Sequence, residues 1–300
     1  MSENVNVSLK LFIEYLQIEK NYSQYTIEHY QHDISEFFMF MSEQAIADIT
    51  KVEYQDVRIY LTDLYDKKMS RKSVARKISS LRSYFKFLLR EEKVAENPFA
   101  LVSIPKAQKK LPEFFYEEEM KQLFDACETS TPLGQRNKAL LELLYATGIR
   151  VSECSQIRLK DLDMYLSTVL VRGKGSKERY VPFGSFAQDA LDTYINHGRK
   201  ELLSNGNVQD NLFLNARGGP LTARGIRTIL NKIIERSSLS GKIHPHMLRH
   251  TFATHLMANG ADMRTVQELL GHAFLSSTQV YTHVTNEYLK KTYMAHHPRA

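Results

Sequence analysis

Apolar side chains recur at three- and four-residue intervals in four successive stretches of the first third of the chain. That period fits one face of an amphipathic helix and no β-strand. The first stretch carries Leu9, Phe12, Ile13, Leu16 and Ile18. The second carries Ile27, Tyr30, Ile34, Phe37 and Phe38 behind Ser23, whose hydroxyl can satisfy an unpaired amide at a helix start. Thr50 and Glu53 have the spacing of a capping box ahead of a third, with Val57, Tyr60, Leu61 and Leu64. The fourth starts near Ser70 and runs through Val74, Ile78, Leu81, Tyr84, Phe85 and Leu88. A helical domain is expected here.

The fourth helix also concentrates cations. Lys67, Lys68, Arg71, Lys72, Arg76, Lys77, Arg82, Lys86, Arg90 and Lys93 face few acids, chiefly Glu91 and Glu92. They form either a solvated helix face or a strip along DNA phosphates, which binds by displacing condensed counterions. Ser73, Ser79, Ser80 and Ser83 would add neutral phosphate contacts. The net charge of +6 favours a polyanionic partner. Beyond this helix the periodicity stops. Asn97-Pro98, Pro105 and Leu111-Pro112, with Lys106, Lys109 and Lys110, read as a basic interdomain linker. The boundary is placed there, dividing residues 1–106 from 107–300.

The second part mixes helices with a little sheet. A strongly apolar helix over Asn137–Tyr145 ends at Gly148, and another begins near Ser152. Thr168–Val171 and Arg179–Pro182 read as strands flanking the turn Gly173-Lys-Gly-Ser-Lys177. Helices follow from about Phe186 to Leu203 and from Thr222 to Ser237. Pro245 opens a helix closed by Gly260, Asp262 caps the next, and Gly271 ends it. Ser276 or Ser277 caps a short helix carrying Tyr281. The fold class is mainly α with a small β-sheet in the second domain.

Cys127 and Cys154, the only cysteines, make neither a zinc motif nor a disulfide framework, which suits a reducing compartment. Met1–Asn6 is not a signal peptide, and no apolar run reaches the roughly 18 residues of a membrane span. A cytoplasmic protein is expected.

Six side chains carry the chemical argument. Arg150 follows the helix stop at Gly148, and Lys174 sits in the hairpin tip. His246 and Arg249, at i and i+3, can share one helix face. His272 follows a helix-ending glycine, and Tyr281 comes nine positions later. Two arginines, two histidines, a lysine and a tyrosine suit attack on a phosphodiester. Its transition state gathers negative charge that guanidinium forks bind bidentately. Metal-dependent hydrolysis would call for carboxylate ligands, and Gly241–Ala261 contains no acid. His246 and His250 have the spacing of a metal pair, but Met247, Leu248 and Arg249 lie between them and supply no glutamate base. No metal or cofactor is expected. A tyrosine ester would keep the energy of the broken bond and permit religation.

The quoted stretches resemble the tyrosine recombinase, or phage integrase, family. Ala146-Thr-Gly-Ile-Arg-Val-Ser-Glu153 is similar to its first arginine box, and Gly173-Lys-Gly-Ser-Lys-Glu-Arg179 to its lysine hairpin. His246-Met-Leu-Arg249, Leu270-Gly-His272 and Tyr281-Thr-His283 are similar to its remaining elements. The resemblance implies that Arg150 and Arg249 clamp the scissile phosphate and that Tyr281 is the nucleophile, leaving a 3′-phosphotyrosyl link. It implies Lys174 as general acid, His246 as an acid/base residue and His272 as a further phosphate donor. It further implies a two-domain DNA clamp, with a helical core-binding domain over 1–106 and a catalytic domain over 107–300.

The compact length and the C-terminal run Asn286–Ala300 resemble the Xer branch. That branch implies a double-stranded recombination site and a XerD-like recombinase as partner in a heterotetramer. It also implies a possible cell-division DNA translocase and a role in resolving chromosome dimers. A C-terminal segment donated to a neighbouring subunit is implied as well, with Tyr288, Leu289 and Tyr293 either serving as its anchors or docking on their own domain. Two other readings stay open: a type IB topoisomerase-like enzyme, and a noncatalytic DNA-binding architectural protein.

Overall fold

The computed structural model describes residues 3–103, 114–173, 177–203, 209–237, 239, 245–271 and 286–300. The chain divides into two compact units, Met1–Lys110 and Leu111–Ala300. Among the described residues, no helix is long and apolar enough to cross a membrane.

The first unit holds α1 (Glu3–Ile18), α2 (Gln24–Glu43), α3 (Tyr54–Asp66) and α4 (Arg71–Arg90). Their stripes meet in a core of Phe12, Leu16, Ile34, Phe37, Tyr60, Ile78, Leu81, Tyr84 and Phe99. Ile18 departs from the expected stripe and is 80% exposed. It lies two residues past Leu16, roughly 200° around the helix. The cap of α3 also shifts. Thr50 gives its amide to Asp48 Oδ1 at 3.0 Å inside a separate 3₁₀ turn. Glu53 is the N-cap, and its amide donates to Asp56 Oδ2 at 2.8 Å.

The cationic face of α4 is narrower than its sequence suggests. Lys77, 2% exposed, donates to Asp33 Oδ1 at 3.3 Å and to Glu36. Arg76 pairs with Asp33, and buried Ser80 donates to the same carboxylate at 2.8 Å. Arg82 donates to the carbonyls of Phe99 and Val102, and Arg90 pairs with Glu19 and Glu91. These four cations serve the fold. Arg71, Lys72, Ser79 and Lys86 remain exposed.

The second unit is built on α6 (Pro132–Thr147), whose Leu140, Leu141, Leu143, Leu144, Tyr145 and Ala146 are all buried. Around it lie α5 (Glu117–Asp125), α7 (Val151–Cys154), α8 (Ser185–Thr193), α9 (Arg199–Leu203) and α10 (Ala223–Arg236). A π-helical turn, Tyr194–Gly198, joins α8 to α9. Strands β1 (Leu162–Asp163), β2 (Thr168–Arg172) and β3 (Glu178–Pro182) form an antiparallel sheet in that order. Val171 pairs with Arg179. β1 is too short to show a period-2 pattern, so sequence reading missed it.

α11 (Pro245–Ala258), α12 (Met263–Leu270) and α13 (Asn286–His296) complete the unit. Phe252, Leu256, Val266, Leu269, Leu270 and Tyr293 make a second cluster, so Tyr293 docks on its own domain. The basic linker lysines, the hairpin tip with Lys174, and the segment with His272, Ser276, Ser277 and Tyr281 lie outside the described residues.

Beyond α13, His297 is 5% exposed among the rings of Tyr145, Phe252 and Tyr293, and its Nδ1 accepts the Arg299 amide at 3.1 Å. Burial pushes its pKa down to about 3. An unfolded histidine titrates near 6.5, so this contribution is complete above that pH and is lost as pH falls below it, at about 1.4 kcal/mol per unit. Urea unfolding at pH 7.5 and 5.5 is expected to show the second unit weakened by about 1–2 kcal/mol at the lower pH. His297→Gln should flatten that part of the slope; an unaltered slope would contradict the assignment.

Candidate active site

The site begins where α6 stops. Gly148 takes the left-handed conformation (φ 58°), and a Cβ there would lie 2.4 Å from the Phe252 ring, so glycine serves both the turn and the packing. Two residues on, Arg150 occupies the N-cap of α7. Its Nη1 donates to Glu153 Oε1 and its amide to Glu153 Oε2, both at 2.8 Å. Its side chain is 39% exposed and that of Glu153 only 5%.

Arg249 reaches the same place from α11. It is 8% exposed, and its Nη1 and Nη2 donate at 2.7 Å to the carbonyls of Gly148 and Leu270. Both acceptors sit at helix ends, where carbonyls lack intrahelical partners. Burial, and then the charge of Arg150, pulls its pKa down to about 10. It stays protonated at neutral pH, held by neutral carbonyls rather than by a carboxylate of its own.

A third arginine closes the group. Arg179, on β3, sends Nη2 to Glu153 Oε2 at 3.1 Å, Nη1 to Oε1 at 3.4 Å and Nε to the Leu269 carbonyl at 3.3 Å. Burial alone would raise the Glu153 pKa, but the bonds from Arg179 and Arg150 outweigh it and hold it below the usual carboxylate value. Two of the three arginines thus share one carboxylate while Arg249 is held by carbonyls, leaving a positive surplus that a bound anion would relieve.

Of the six residues expected from sequence, the structure brings Arg150 and Arg249 together. His246 lies on α11 three positions before Arg249; its side chain, like Lys174, His272 and Tyr281, is outside the described residues. Glu153 and Arg179 stood inside the quoted motifs without a role. The available signal was an acid three residues after Arg150, the spacing that puts both on one helical turn.

Comparison with known proteins follows the same lines. Residues 113–287 match the profile of the phage integrase family, and residues 9–92 match its N-terminal SAM-like domain. The chain is 60% identical to the tyrosine recombinase XerC of Anoxybacillus flavithermus, covering 99% of this chain and 100% of that one. It is 57% identical to tyrosine recombinase XerC of Bacillus subtilis, over 99% and 98%. The XerH site-specific recombinase in a post-cleavage complex with palindromic difH substrate is 26% identical, with a TM-score of 0.69 over 85% of this chain and 75% of that one. A lambda integrase tetramer bound to a Holliday junction shares the fold at 19% identity and TM-score 0.70, over 92% and 75%. Full-length identity near 60% and both domain matches therefore agree with the arginine cluster: the chain belongs to the phage integrase family, as a site-specific tyrosine recombinase.

Proposed function

We propose that Tyr281 attacks a scissile phosphodiester held by Arg150 and Arg249, leaving a 3′-phosphotyrosyl bond and a free 5′-hydroxyl. The observation that carries this reading is the pair of fixed guanidiniums, Arg249 held by two backbone carbonyls and Arg150 by the Glu153 carboxylate. Such donors are preorganised, so they stabilise charge developing on the nonbridging oxygens without reorganising during the reaction. Lys174 would give a proton to the departing 5′-oxygen, His246 would serve as acid/base, and His272 would donate to the phosphate. No cofactor is invoked, because the ester stores the energy for religation.

Residues 1–106 grasp the duplex and residues 107–300 catalyse. Arg71, Lys72 and Lys86 on α4 suit phosphate contacts. On α10, Arg224, Arg227 and Asn231 are exposed at helical spacing, a face suited to base edges in a major groove. The similarity to XerC supports pairing with a XerD-like recombinase in a heterotetramer on a short asymmetric site, in the cytoplasm, resolving chromosome dimers at division. A cell-division translocase would activate the pair.

The test is covalent trapping. Nicked suicide DNA carrying the host recombination site is mixed with the protein in chelator, with and without the XerD-like partner, and run on a denaturing gel. A protein–DNA adduct whose nucleotide maps by mass spectrometry to the Tyr281 peptide supports the reading. Sequence-specific binding without any adduct, even with the partner present, would leave an architectural role instead.

A further inference from the structure

Arg179 makes contacts that the strand-transfer chemistry does not require of it. Its guanidinium joins three elements: β3, on which it stands; α7, through both oxygens of Glu153; and the end of α12, through the Leu269 carbonyl. It also lies over Gly271, where a Cβ would come within 2.9 Å of Nε and 3.0 Å of Cζ. Gly271 has φ +66°, so the backbone and the arginine both require glycine there. With its side chain 17% exposed and its donors engaged, Arg179 is poorly placed to bind phosphate itself.

We propose that Arg179 is a positioning residue for strand cleavage, acting through Glu153 on Arg150. Glu153 accepts two bonds from Arg150 and two from Arg179. Without Arg179, the carboxylate would be shared with nothing but Arg150. It would then draw that guanidinium inward and cancel its charge, lowering the net charge of the four-residue cluster from two positive to one. As the attacking phenol passes its proton to an acceptor, negative charge builds on the phosphoryl oxygens in the transition state. The loss should therefore fall on the chemical step rather than on DNA binding. The strand bearing Arg179 returns from the hairpin whose base is closed by the Gly173 amide on the Lys177 carbonyl at 2.8 Å.

This inference rests on the recombinase reading for its catalytic half, and the experiment separates the two. Full-length wild type, Arg179→Ala and Arg179→Lys are compared on the nicked suicide duplex at saturating protein, alongside gel-shift affinities. Arg179→Ala should slow adduct formation about 10- to 100-fold while the Kd changes by less than about twofold. Arg179→Lys should recover part of the rate, since it keeps the charge but not the fork. In an Arg150→Ala background, Arg179→Ala should cost no more than about threefold, because both act through one unit. In the DNA-free protein, hydrogen exchange at the Arg150 amide should quicken in Arg179→Ala.

An unchanged rate, equal losses in both backgrounds, or DNA binding weakened in step with the rate would overturn the positioning role. Unchanged exchange would overturn the link to Glu153. A wild type that forms no adduct would instead overturn the recombinase reading, while the exchange arm still decides the link.

Discussion

With phenylalanine at position 281, the covalent protein–DNA band is expected to disappear while the noncovalent complex keeps its wild-type affinity. The substitution removes one oxygen and leaves the ring, so packing and charge are nearly preserved. No phenol remains to attack phosphorus, and adduct formation should drop by more than about 10³-fold. Gel shift and denaturing gel read the two halves separately. An adduct that persists in Tyr281→Phe would assign the nucleophile to another side chain. Parallel loss of binding and cleavage would mean that the tyrosine holds the segment rather than reacts. An intact phenol has a pKa near 10, so its attack at neutral pH depends on neighbouring cations and an acceptor. Under the proposed mechanism, the positive surplus around Arg150 and Arg249 would supply those cations.

The largest stability effect is expected at Asp33, in the first unit. Its fully buried carboxylate is held by Lys77, Ser80 and Arg76. Asp33→Ala would leave Lys77 buried with Glu36 as its remaining carboxylate. Stranding a buried charge costs about 3–5 kcal/mol, and the surviving Glu36 contact places the expectation near 3. Urea unfolding followed by α-helical circular dichroism would measure it. The double change Asp33→Leu with Lys77→Met should be much milder than Asp33→Ala, because replacing both partners with apolar groups removes the desolvation problem. If the single variant is as stable as wild type, the network does not lock α2 to α4.

The helices of the first unit and most of those of the second were legible because burial imposes a period on the sequence, whereas α5 and α13 were missed. The caps at Ser23 and Asp262 were legible because few residue types can satisfy free amides there, and the helix starts read near Ser70 and at Thr222 prove to be caps as well. What sequence could not give was the allocation of charge. Arg76, Lys77, Arg82 and Arg90 look like one cationic strip, yet apart from Glu91 beside Arg90 their partners come from α2, from Glu19 just past α1 and from the segment after α4, at separations no local pattern encodes. The same holds at the site. Arg150 and Arg249 stand out through their motifs, whereas Arg179 gains its meaning from a carboxylate 26 positions away and a carbonyl 90 positions away.

Both acceptors of Arg249 are main-chain oxygens, and this bears on how such a site withstands mutational drift. No side-chain substitution at 148 or 270 can delete a peptide carbonyl; it can only displace it by disturbing a helix end. The hold on Arg249 is thus insulated from changes of residue identity so long as two helices terminate where they do. Arg150 has no such protection, since one base change at codon 153 could remove the carboxylate that orients it. Within a single pair of arginines, the structure joins one anchor fixed by chain geometry to another that must be kept by selection.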